Sequence, residues 1–206
     1  MTTSTRARFL VLHALRVKGL ASDPVLRAIT GLPEPEVTAE VAALVEEGLA
    51  VRREGRLAGT MPTPAGRAAH PDLLAADVEG SAEALSAAYE AFLPVNGEFK
   101  RVCSAWQLRP SGEPNDHTDA GYDAGVVEAL AEVHTKVTGL VDTLSVAAGR
   151  FGTYPGRLAG ALERVRAGDS AAFARPMADS YHDIWMELHQ DLLLSAGRER
   201  SAADEG

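Results

Sequence analysis

Apolar residues recur at three- and four-residue spacing along nearly the whole chain, and only between residues 49 and 63 does the period fall to two. That pattern confines the chain to a mainly α fold with one short β-ribbon. In "RARFLVLHALRVKGL" (6–20), Phe9, Leu12, His13, Arg16 and Leu20 lie near one helix face, with Val11 and Leu15 beside it, and Gly19 ends the run. In "SDPVLRAITGLP", Ser22 or Asp23 can cap a short helix, Pro24 suits its first turn and Gly31 closes it. A third helix is expected in "PEPEVTAEVAALVEEGL", buried through Val37, Val41, Leu44 and Val45 and stopped at Gly48. "LAVRRE" and "LAGTMPT" then flank Gly55-Arg56 as two strands with a tight connection.

Helix, short helix, helix and a basic ribbon ending in "TPAGRA" resemble the winged helix-turn-helix of MarR-like transcriptional regulators. The matching stretches are "GLPEPEVTAEVAALVEEGLAVRREGR" and "TPAGRAAH", with Gly48-Leu49 at the helix-to-strand corner. The resemblance covers residues 1–72, taken as a winged-helix domain. It implies a dimer that lays its third helix in the major groove and answers to a small-molecule effector. One departure stands out. Residues 33–49 hold Glu34, Glu36, Glu40, Glu46 and Glu47 and no lysine or arginine, leaving Thr38 as the obvious polar donor. Carboxylates repel phosphate, so the third helix weakens DNA as a partner. The wing suits it better: Arg52, Arg53 and Arg56 can meet the backbone or minor groove, with Arg27 and Arg67 behind them. Residues 1–72 carry a net charge of +1 and the remainder −10, so only the first third can approach DNA without strong repulsion.

Residues 73–197 are expected to form a helical bundle for effector binding, dimerisation or both, and 198–206 a polar tail. Pro94 and Gly97 in "LPVNG" predict a break between two helices. Phe99, Val102, Cys103 and Trp106 then share one face. "RPSGEPNDHTDAGYD" (109–123) is a loop, with Thr118 or Asp119 capping the next helix, which runs to Gly149. "GRFGTYPGR" is a turn, a helix follows Pro155, and "DSAAFARPMADSYHDIWMELHQDLLLSAG" supplies the last one or two.

Chemistry concentrates in "YHDIWMELHQDLL" (181–193). On a helical wheel Tyr181, Ile184, Trp185, Leu188 and Leu192 form a core stripe, with His182 and His189 on its flank and Asp183, Glu187 and Gln190 turned away. A pocket lined by Trp106, Tyr154, Tyr181, Trp185, His182 and His189 would suit a small aromatic or anionic ligand, with Arg109 and Arg157 for its charge. The plain alternative is that the aromatic residues are core anchors and the histidines edge residues. His182 and His189 stand roughly 10.5 Å apart along a straight helix, too far to share one ion. "NDHTDAGYD" offers Asp116, His117, Asp119 and Asp123 without calcium-loop spacing. No metal and no cofactor is expected.

As an enzyme the chain would use His182, His189 and Glu187 as acid–base groups. No nucleophile elbow, P-loop or dinucleotide fingerprint accompanies them, so the reading leans away from catalysis. Cys103, the single cysteine, excludes an internal disulfide framework and reads as a small buried hydrophobe. No apolar run reaches the roughly 20 residues of a membrane span, and "MTTSTRARFL" lacks signal-peptide features, so a cytoplasmic protein is expected. The leading reading is a homodimeric, effector-responsive regulator. Its rivals are a small-molecule-binding protein or enzyme with a scaffold winged helix, and an adaptor acting on a partner protein.

Overall fold

A computed structural model describes residues 3–198. The polar tail expected from 198 lies, from residue 199 onward, outside them. The described chain is mainly helical with one two-stranded antiparallel sheet, and divides into two compact units.

The first unit takes the chain through Ala82 together with Ala148–Thr153, a wider span than the 1–72 read from sequence. Helix α1 (Thr3–Lys18) buries Phe9, Leu12 and Leu15 completely. Helix α2 (Asp23–Thr30) follows Ser22, which holds the extended N-cap conformation but makes no side-chain cap bond, and closes at left-handed Gly31. Helix α3 (Glu34–Glu46) buries Val37, Val41 and Leu44 against the same core.

Strands β1 (Ala50–Arg53) and β2 (Gly59–Pro62) pair Ala50 with Pro62 and Arg53 with Gly59. Ala21, between α1 and α2, adds a bridge to Thr60 with N–H···O distances of 3.1 and 2.8 Å. Helix α4 (Pro64–Asp77) opens on Thr63, whose hydroxyl accepts from Gly66 N–H and donates to the Gly48 carbonyl. A Cβ at position 66 would stand 2.0 Å from the Leu49 carbonyl oxygen, so the glycine of "TPAGRA" is a requirement of close packing. His13 on α1 and His70 on α4, both buried, meet through Nδ1 and Nε2 at 2.8 Å.

"GRFGT" is a short 3₁₀ turn (Gly149–Thr153) that belongs to this first unit. Its Arg150 guanidinium, 3% exposed, pairs with Asp77, 4% exposed, and lies over the rings of Phe9 and Phe151. Thr153 donates to the Ile29 carbonyl at 3.0 Å.

The second unit holds α5 (Ala82–Gln107), α6 (Ala120–Ala147), α7 (Tyr154–Arg166), the single turn α8 (Ala171–Ala174) and α9 (Tyr181–Ser195). The expected break at "LPVNG" does not occur: α5 runs unbroken through Pro94 and Gly97. Proline removes one i→i−4 bond, but Tyr89, Phe92, Asn96 and Phe99 are buried on either side of it, and their packing carries the helix across. In α6, Val126, Leu130, Val133, Val137, Val141 and Leu144 make one continuous buried face. Arg198, expected in the polar tail, is held on α5 by Glu90 at 2.7 Å and lies over the Tyr89 ring.

Helix α9 is the centre of this unit. Ser180 caps it by accepting from Asp183 N–H, and none of its 15 residues is exposed. Trp185 stacks on Phe99 at 4.1 Å and lies near Phe92 at 5.3 Å.

Candidate functional site

The residues singled out for DNA contact lie on the first unit's surface. Thr38 is exposed on α3, Arg53 at the end of β1, and Arg56 in the connection between the strands. Arg52 is also exposed but donates to Asp23 at 3.0 Å. Arg27 pairs with Glu34 at 3.2 Å. Around Thr38, the outward side of α3 carries exposed Glu34, Glu36 and Glu46, while Glu47 pairs with Arg8.

The residues singled out for a ligand pocket separate into two places. Tyr181, Trp185, His189, Tyr154 and Arg157 sit in the interior around α9, with His182 half-buried against the Phe99 ring. Several of their polar atoms end on another side chain, while the buried Arg157 Nε makes no hydrogen bond among the described residues. Trp185 Nε1 donates to Asn96 (2.9 Å), the Tyr181 hydroxyl meets His134 Nδ1 (3.3 Å), and the Tyr154 hydroxyl donates to Asp191 (3.2 Å).

Glu187, which points away from the core stripe, is only 2% exposed because α7 covers that side of the helix. Arg157 of α7 donates to Glu187 and to Asp179, both at 2.7 Å. Burial works against the Arg157 charge, but these two carboxylates outweigh it and hold its pKa above the ordinary value. Burial pushes His182 below the usual histidine range, with Asp183 partly opposing, and pushes Tyr181 up. The Cys103 thiol is raised to about 12 by burial, which suits an inert side chain.

Trp106 and Arg109 belong elsewhere, at the 109–123 loop. Arg109 reaches Asp119 (3.1 Å) and Asp116 (3.4 Å) and lies over the Tyr122 ring. Asp119 caps α6 by accepting from the N–H groups of Gly121 and Tyr122. The Tyr122 hydroxyl is within reach of the carbonyls of Ala105 and Leu108, tying the loop to the end of α5.

Within this loop His117 adopts φ +58°, a left-handed conformation that costs a non-glycine residue about 1–3 kcal/mol. Side-chain contacts hold it there. Its ring lies 4.4 Å from Trp106, its N–H donates to Asn115, and its Nδ1 is 3.0 Å from Asp123. Trp106 is in turn stacked parallel on Phe173 at 4.3 Å.

Two of the clefts among the described residues open on the second unit. One, of about 650 Å³, lies between α5 and α6, with Val102, Ala105 and Ala129 among its lining and a Glu98–Lys136 pair at 2.6 Å. The other, of about 620 Å³, is lined by Trp106, His117 and Asp123 together with Val127, Val165 and Arg166. His182, Glu187 and His189 line neither. Among the described residues no group of three His, Cys, Asp or Glu side chains is placed to hold a metal ion.

Spacing alone presents "NDHTDAGYD" as a capping or metal-type loop and does not bring His117 and Asp123 together with Trp106. The available signal was the six-residue step from a loop histidine to an aspartate in the first turn of α6. No known family matches the chain, and no curated protein or solved structure shows detectable similarity to it.

Proposed function

We propose that the chain is a MarR-like, DNA-binding transcriptional regulator, its first unit meeting DNA through the β-ribbon and its second binding a small-molecule effector. The observation that carries the reading is the run of exposed arginines, Arg52, Arg53 and Arg56, on a ribbon attached to a three-helix core. The order of elements and the Ala21–Thr60 bridge support a winged helix-turn-helix arrangement. The acidic outer side of α3 shifts the expected contact from base edges to phosphates, which makes binding strongly salt-dependent and weakly sequence-selective.

A fluorescence-anisotropy titration of duplex DNA tests this. With three arginines neutralising three phosphates, affinity is expected to fall roughly ten- to a hundredfold between about 50 and 200 mM salt. The triple variant Arg52→Ala, Arg53→Ala, Arg56→Ala should lose binding while keeping its helical signal. No binding at low salt sinks the DNA reading. In that event the same exposed face of Glu34, Glu36, Thr38 and Glu46 favours a second reading, an adaptor whose α3 docks a basic protein surface.

A further inference from the structure

We infer that the cleft beside Trp106 is a binding site for a small organic acid with an apolar body, received by His117 and Arg166. The placement of one proton fixes the state of the His117 ring. Asn115, buried at the root of the loop, donates both amide protons, one to the Trp106 carbonyl (3.2 Å) and one to Asp123 Oδ1 (2.8 Å). Although Asn115 Nδ2 is also 3.2 Å from His117 Nδ1, it has no proton left to give there.

Asp123 Oδ2, 3.0 Å from the same Nδ1, accepts only, so the imidazole carries its proton on Nδ1 and gives it to Asp123. That leaves Nε2 as the outward-working nitrogen, and it has no hydrogen-bond partner among the described residues. A ring fixed by a carboxylate at one nitrogen and bare at the other is oriented to receive something at the bare one.

The ring lines a cleft large enough for a small molecule. Ala124, Val127 and Val165 line it too and can take an apolar body, while Arg166 is exposed at its rim. A carboxylic acid matches this set. The ligand's carboxylate accepts from the Arg166 guanidinium, and it accepts at Nε2 when that nitrogen takes up a proton from solvent on binding, the Nδ1 proton staying in its bond to Asp123. Glu128 is the opposing charge at the rim, and it disfavours the anion. The interior histidines around α9 lack this arrangement, since neither lines the cleft.

The inference rests on the effector half of the regulator reading. It is tested on the DNA-free full chain, so its failure leaves the DNA titration untouched, and failure of that titration leaves this measurement standing. Phenylacetate, hexanoate and the neutral phenylacetamide serve as probes, read by calorimetry and by ¹⁵N resonances of the His117 ring.

At least one acid is expected to bind and to shift the His117 Nε2 signal, with the amide at least tenfold weaker. Arg166→Gln should weaken the acid at least tenfold, and Glu128→Gln should tighten it. His117→Asn, which tolerates the left-handed backbone, should abolish it while the chain keeps its helical signal. Arg166 and Glu128 are exposed, so their variants keep the test decisive if His117→Asn unfolds. Binding of the amide as tight as that of phenylacetate overturns the anion assignment. Silence of the His117 resonances toward both acids at millimolar concentration overturns the site.

Discussion

The Arg157–Glu187 pair is nearly dry, with side-chain exposures of 9% and 2%, and Asp179 shares the guanidinium. Removing either member takes a nearly dry ionic partner from the other. Glu187→Leu or Arg157→Met alone is therefore expected to cost up to about 3–5 kcal/mol, and the double variant less than their sum, because the Arg157–Glu187 interaction is then lost only once. Urea unfolding of the two single variants and the double variant measures this coupling, and simple additivity would contradict it.

His182 and His134 add a pH dependence. Burial depresses both, with Arg166 also acting on His134, so the unfolded chain takes up protons before the folded one. Their contribution is whole above the unfolded value of about 6.5 and is lost as pH falls through the lower folded values. The urea midpoint should decline from pH 7.5 to 5.5, and His182→Gln should flatten that slope. An identical slope in the variant would show that His182 does not contribute.

Among the elements, α5 and α9 mark what a one-dimensional pattern can carry. The core stripe Tyr181-Ile184-Trp185-Leu188-Leu192 was legible, because spacing defines a face. The burial of Glu187, His189 and Asp191 was not, because a wheel places residues around one helix and says nothing of the helix that covers them. Pro94 misled for a related reason. It is a local stop signal, whereas the apolar residues that override it act through partners distant in sequence, as when Phe92 and Phe99 meet Trp185.

If that packing carries α5 past Pro94, Pro94→Ala should restore a backbone bond and raise unfolding free energy by about 1–3 kcal/mol. A loss of stability would mean that a proline-set bend positions Asn96 and Phe99. The loop histidine was legible as chemistry but not as geometry, since the contact of His117 with Trp106 depends on a positive φ that the letters do not announce.

For the whole molecule, the sequence marked a change of character near residue 72 but not the return of 148–153 to the first unit. That segment is short, and it contributes a buried guanidinium, a buried ring and the Thr153 hydrogen bond to Ile29, which composition cannot reveal. A fragment of residues 1–82 keeps every helix and strand of the first unit but leaves Asp77 without Arg150, with half-exposed Arg6 as its remaining cation at 3.7 Å. The fragment is expected to melt well below the full chain's first transition, and Asp77→Asn within it should recover part of the difference. Circular dichroism of both fragments checks this. A fragment as stable as the intact unit would show that Arg150 contributes nothing.

The same return has a consequence for synthesis. A ribosome adding about 5–20 residues per second needs roughly 4–14 seconds to travel from Ala82 to Thr153. Throughout that interval the nascent first unit holds a carboxylate whose guanidinium has not yet been translated. The N-terminal unit, though begun first, is therefore completed only after α5 and α6 have been made.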